Sequence, residues 1–174
     1  RALRRAGIEP CISLWHFTEP GWFEDRGGWE ERANAACFGA FARKVVPRLA
    51  PHCSLWCTLN EPTGVMICGW FAGVHPPGKK DQPFNGLRAI RTMLVGHVEA
   101  VAAIRAAAEV LGAPEPRISI AFNLLWFEPR GDGLSLLSPL LYALTLGLNT
   151  LWNFALVDAC TRGRLPNWPL PLDA

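Results

Sequence analysis

Three short apolar runs, Cys11–Phe17, Ser54–Asn60 and Arg117–Asn123, each lead through a polar or glycine-rich stretch into a longer segment of helical periodicity. The middle run is apolar nearly throughout instead of alternating, which predicts a strand buried on both faces. It ends abruptly at Asn60-Glu61-Pro62. Proline cannot donate to a ladder and pushes the residue before it toward extended backbone, so the strand stops there. The helical segments are Trp29–Leu49, with Phe38, Phe41, Val45 and Leu49 on one stripe, and residues 85–111, with Ile90, Leu94, His97, Val101, Ile104, Ala108 and Leu111 on another. The first is expected to end near Pro47 and Pro51, the second at Gly112 and Pro114. A last helix is predicted within 137–162, and residues 1–6 read as a helix end closed by Gly7. Residues 19–28 and 63–84 read as loops, the second with room for one helical turn.

Strand followed by helix, repeated, means parallel strands joined by right-handed crossovers. Strand starts at 11, 54 and 117 are far apart, which puts large loops after the strands, as in barrel enzymes. Three strands cannot close a barrel that needs eight. The expected fold is therefore α/β, a partial (β/α)8 barrel with strands and their helices, and residues 1–174 form a single incomplete domain. The chain opens on Arg1 in what reads as the last turn of a helix, and no signal peptide is visible.

The segment Leu134–Val157 carries no charge and is long enough to cross a bilayer. Its Ser135, Ser138, Pro139, Thr145, Asn149 and Asn153 make it a poor span, so a buried barrel helix is expected, with a membrane anchor as the alternative. Seventeen basic and 15 acidic residues give a net charge of +2. With the arginines scattered, this excludes the clustered basic stripe of a nucleic-acid binder. The six cysteines show neither CxxC nor paired Cys/His spacing. They are expected to be small buried hydrophobes of a reducing compartment, read as the cytoplasm, with neither disulfide nor metal.

The candidate chemistry sits at the lips of the strands. Glu61 and Asn60 end the second, where barrels and open α/β sheets place catalytic groups; a Glu facing solvent or capping the next helix is the competing reading. Eight tryptophans exceed what packing needs. Trp15, Trp22, Trp29, Trp56, Trp70 and Trp126 fall near strand ends and loops, where flat rings suit sugar faces as well as core. Asn123 ends the third strand, and Glu128 in the following loop is the best internal candidate for a second carboxylate. His97 reads as a satisfied core histidine, His75 as a rim residue and His52 as exposed.

Leu14-Trp-His-Phe17, Gly27-Gly-Trp29 and Thr58-Leu-Asn-Glu-Pro62, in that order, resemble glycoside hydrolase family 1, the β-glucosidase family of retaining (β/α)8 barrels. Gly69–Gly78, Leu94–Ala100, Ile118–Asn123 and Gly163-Arg-Leu-Pro166 are similar to further family segments. The resemblance implies strands three to five of the barrel. It also implies Glu61 as general acid/base, Asn60 as ligand of the sugar 2-hydroxyl and His16 as a sugar contact. Asn123 and Trp126 are further substrate-binding candidates. The family's nucleophile lies in a Glu-Asn-Gly context that this sequence lacks, and the resemblance gives Glu128 no catalytic role. Small β-glycosides or oligosaccharides are the implied substrates, without cofactor, metal, nucleic acid or membrane. A sugar-binding remnant without turnover is the alternative.

Overall fold

The computed structural model describes residues 2–129 and 138–162, and the chain forms two compact units, residues 1–121 and 122–174. The first holds a parallel sheet of three strands in the order β1 (Cys11–Trp15), β2 (Leu55–Asn60), β3 (Arg117–Ala121). The central strand is buried along its middle, with Trp56, Thr58 and Leu59 at 1% exposure or less. That is why its sequence shows no alternation. Ahead of the strands, Glu9 accepts hydrogen bonds from Ser54 Oγ and from Arg117 Nη2, tying the leading edges of all three together. Its carboxyl is held below the usual value, chiefly by the Ser54 hydrogen bond and then by Arg117.

Register runs in step from Cys11↔Leu55 to Trp15↔Leu59 between β1 and β2. Between β2 and β3 it slips. Cys57 faces Ser119, but Asn60 faces Ala121, so β2 carries one extra residue just before its end. The ladder then resumes, with Glu61 N donating to Ala121 O at 2.8 Å.

Helices α1 (Ala2–Arg5), α2 (Gly21–Asp25), α3 (Ala35–Leu49), α4 (Pro62–Met66) and α5 (Pro83–Val110) complete this unit. Gly7 takes φ 74°, and Ile8 N returns to Leu3 O, the left-handed closure foreseen for α1. Two 3-10 turns, Gly28–Glu30 and Arg32–Asn34, lead into α3. The buried face of α3 is Ala35, Phe38, Gly39, Ala42 and Val46, while Phe41 stays exposed. The expected stripe through Phe41, Val45 and Leu49 is thus rotated, because small residues let α3 approach α5 closely. On α5, a β-carbon at Gly96 would lie 3.1 Å from Phe38 and 3.4 Å from Trp29. Pro47 sits inside α3 and does not stop it.

The predicted 63–84 loop is corrected in its first half. Directly after Glu61 the chain enters α4, with Pro62 at its first position where a missing N–H costs nothing. It continues through a π turn, Ile67–Phe71, closed by Ala72 N to Ile67 O at 2.8 Å.

The second unit contains α6 (Ser138–Asn149), a π turn (Thr150–Phe154) and α7 (Ala155–Arg162). The Gly163–Pro166 resemblance and residues 134–137 lie outside the described residues. Among the described residues no helix is long and apolar enough to cross a membrane. All six cysteines are unpaired; Cys53 and Cys57 are buried as expected, but Cys11 and Cys160 are exposed. Cys11 starts an edge strand with one face open, and α7 shows Cys160 to solvent.

Candidate active site

Glu61 stands at the junction of β2 and α4 with φ 46° and ψ 59°. The left-handed region is rare for a residue with a side chain and is held only where the surroundings over-determine it. Three restraints do so here: the Ala121 hydrogen bond before it, Pro62 after it, and Val65 N donating to Glu61 O at 3.0 Å. The backbone of Glu61 caps α4, but its carboxylate does not. That removes the capping role as an explanation for the acid. Glu61 as a residue is half-buried, and no hydrogen bond or ion pair holds its carboxylate among the described residues. A β-carbon at Gly64 would come within 3.2 Å of Oε2, so this glycine leaves the carboxylate its space.

The extra residue of β2 lies immediately upstream. Thr58 is fully buried. Its Oγ1 lies 2.7 Å from His97 Nδ1 and donates to Ser119 O at 3.3 Å. His97 is therefore the satisfied interior histidine expected, and burial pushes its pKa down.

His16 follows β1 on the same edge of the sheet as Asn60 and Glu61, and its side chain is exposed. Phe17 takes φ 68°. Its ring meets His16 at 4.7 Å and His75 at 6.3 Å between centroids. His75 thus borders the end of β1.

Behind this edge, Trp15, Phe23, Trp29 and Phe38 form a chain of edge-to-face contacts. Trp29, Trp56 and Trp70 are fully buried, which removes them as sugar platforms; Trp22 and Trp126 remain exposed. Sequence reasoning missed an acidic pair against this cluster. Trp15 Nε1 donates to Glu19 Oε2 at 3.0 Å. Glu24 Oε1 is buried without a donor. A β-carbon at Gly28 would lie 2.5 Å from that oxygen. Burial, and secondarily Glu24, push Glu19 up to about 7. The Gly27-Gly28-Trp29 turn, with φ 92° and 55° at its glycines, thus has a local reason.

Asn123 and Trp126 belong to the second unit, in the stretch that follows β3. Asn149 Oδ1 accepts from Phe127 N at 2.9 Å, and its Nδ2 donates to Phe127 O at 2.8 Å. Asn153 repeats this on Leu125, at 3.0 and 2.7 Å. Trp152 Nε1 donates to Asn123 O at 2.6 Å. Two buried side-chain amides, one helical turn apart, therefore hold alternate residues of an extended segment and leave Trp126 70% exposed. The sequence signal was available: two Asn four positions apart in an uncharged helix. Glu128 is exposed beside Pro129. Among the described residues no group of three His, Cys, Asp or Glu could hold a metal.

The sequence profile of Glycosyl hydrolase family 1 matches residues 1–163. The chain belongs to this family. Relatives within it include Beta-glucosidase A of Thermotoga maritima, 32% identical over 130 residues that make up 75% of this chain and 28% of that protein. Beta-glucosidase A of Acetivibrio thermocellus is also 32% identical, over 72% of this chain and 27% of that protein. Among solved structures, the psychrophilic β-glucosidase of Micrococcus antarcticus superposes with a TM-score of 0.82 at 32% identity, covering 95% of this family 1 chain and 33% of that one. The family 1 β-glucosidase of Thermotoga maritima with bound isofagomine lactam gives 0.82 at 28% identity and covers 35% of that chain. This family 1 chain thus spans about a quarter to a third of the proteins it matches.

Proposed function

We propose that this chain supplies the acid/base portion of a retaining β-glycosidase, as strands three to five of a (β/α)8 barrel and part of one domain. The observation that carries the reading is Glu61, at the C-terminal end of a buried parallel strand and in strained backbone, whose carboxylate neither caps the next helix nor forms an ion pair among the described residues. Glu61 donates a proton to the glycosidic oxygen as the bond breaks and then removes one from water, a role worth roughly 10²–10⁴ in rate. Asn60 holds the sugar 2-hydroxyl and His16 a neighbouring hydroxyl. Asn123 and Trp126 are further proposed substrate contacts, on the sequence reading alone. The second carboxylate, about 5 Å from the first in a retaining enzyme, is not among these residues. The sequence has no Glu-Asn-Gly, and the exposed Glu128 does not replace it.

The substrates are small β-glycosides, β-glucosides first, since the relatives bear the name Beta-glucosidase. Exposed thiols at Cys11 and Cys160 fit a reducing compartment. The test is Glu61→Gln in the complete protein. Hydrolysis of alkyl β-glucosides, whose leaving groups need protonation, should fall by roughly 10²–10⁴. Activated aryl glucosides should lose far less in their first step. Equal turnover of an alkyl glucoside by mutant and parent would sink the assignment.

A further inference from the structure

Glu30, in the turn after Gly27-Gly28, lies outside the roles assigned above. Its Oε1 accepts from Trp70 Nε1 at 2.7 Å and from Lys79 Nζ. Trp70 is 2% exposed on the π turn, and the Glu30 and Lys79 side chains are only 20% and 34% exposed. One carboxylate oxygen therefore joins three elements: the turn behind β1, the π turn behind Glu61, and the far arm of the loop 72–82. That loop is already closed at its base, by the Ala72↔Lys80 bridge and by Asp81 N and Gln82 N donating to Phe71 O and Trp70 O. Its near arm is tied to Cys68 O through the amides of Val74 and His75. Its tip carries His75, whose ring meets Phe17 next to His16.

We propose that Glu30 is a positioning residue, whose carboxylate latches Lys79 so that the 72–82 loop keeps His75 against Phe17 and closes the rim of the sugar site beside His16. The proposal rests on the glycosidase reading for its substrate. The physical core is a charge-assisted hydrogen bond in a half-buried setting, stronger and more directional than an exposed ion pair. Lys79 alone of the loop's two lysines has this partner; Lys80 is exposed. Phe17 at φ 68° is where slackening would be felt, because a strained residue stays put only while its neighbours hold it.

Glu30→Gln separates the latch from the packing. The amide oxygen still accepts from Trp70, so the buried indole keeps its partner while the charge facing Lys79 is lost. Lys79→Met removes the other half, Lys79→Arg keeps a cation, and Lys80→Met is the control. In the complete protein, amide hydrogen exchange of residues 72–80 should quicken roughly ten- to a hundred-fold in Lys79→Met, the loss expected of one charge-assisted hydrogen bond, and by less in Glu30→Gln, whose neutral amide oxygen still accepts from Lys79. Exchange within α5 should not change, and Lys79→Arg should stay near the parent. KM for an aryl β-glucoside should rise about three- to ten-fold in the same two variants with kcat within about two-fold, the mark of lost ground-state binding. Unchanged exchange overturns the latch. Faster exchange with unchanged KM overturns the positioning role. A parent that hydrolyses no β-glycoside defeats the glycosidase reading and the positioning role together, and the exchange result then decides the latch by itself.

Discussion

Thr58 Oγ1 and His97 Nδ1 lie 2.7 Å apart, joining the irregular end of β2 to the middle of α5. A hydroxyl has one proton, and Thr58 also reaches Ser119 O. Both contacts are satisfied when His97 Nδ1–H donates to Thr58 and Thr58 donates to Ser119. The pair thus fixes the histidine's tautomer and supports the strand two residues before Asn60. Thr58→Val keeps the volume but leaves that N–H buried without an acceptor. It should cost about 1–3 kcal/mol, read as a lower urea midpoint with unchanged m-value.

His97 also sets one arm of the pH dependence. Its pKa is depressed by burial below the ordinary 6.5, so the folded state holds fewer protons than the unfolded one. The neutral ring's contribution is fully present above pH 6.5 and is lost as pH falls through and below that value. His97→Gln, which keeps a polar group near Thr58, should flatten the decline in thermal stability below pH 6.5. A decline of the same slope in parent and variant would assign it to other groups.

Glu19 acts in the opposite direction. Its folded pKa of about 7 lies above the ordinary 4.5, so the folded state binds the extra proton. Its stabilising effect is complete below pH 4.5, declines between 4.5 and 7, and is absent above. Glu19→Gln mimics the protonated acid and should remove this dependence, so that the variant gains on the parent from pH 5 to pH 8. Melting curves across that range, with the His97 variant as background, separate the two titrations.

Gly64 gives a local test of the candidate acid. A methyl group there would press on Glu61 Oε2 at 3.2 Å, while alanine suits the helical backbone better than glycine by about 0.5–1 kcal/mol. Gly64→Ala in the complete protein should therefore melt no lower than the parent and yet hydrolyse alkyl glucosides more slowly, because the carboxylate is displaced. An unchanged rate would mean that the acid has room to spare.

The paired amides of Asn149 and Asn153 should behave as a unit. Replacing either with alanine leaves a backbone N–H and C=O of the 123–127 stretch without partners, at about 1–3 kcal/mol each. The double variant should cost less than the two singles added, since the segment is already released. Exchange of the Leu125 and Phe127 amides reports the loss directly; unchanged protection would show that Trp152 alone suffices.

How far the sequence could be read depends on residue size. The continuous apolar run of β2, the closure at Gly7 and the long periodic α5 were legible, because large apolar residues or a glycine stood where the structure needed them. The face of α3 was not. Its buried face is Ala35, Phe38, Gly39, Ala42 and Val46, and a reading weighted toward bulky side chains follows Phe41 and Val45 instead. Helix α4 was legible only as room for one helical turn, because Pro62 and Gly64 read as loop although proline is at home in a first helical turn. Trp29, Trp56 and Trp70 looked available for a ligand because their position near loops says nothing of depth. Of the candidate site, Asn60, Glu61 and His16 could be named from short motifs. The groups that hold them, Thr58 with His97 and Glu30 with Lys79, are contacts between residues 39 and 49 positions apart, which no local pattern encodes.

The single surplus residue between Cys57 and Asn60 reaches further than its length. Side chains along a strand change sides at every step. Remove one residue there and β2 could run in step with β3, but its pairing with β1, in step through Leu59, would be put out by one place, and the residues beyond would change faces against that neighbour. The aim of the acid is thus set by a mismatch between the two ladders that flank it. A protein could keep all of its named site residues and still be silenced by a deletion that touches none of them.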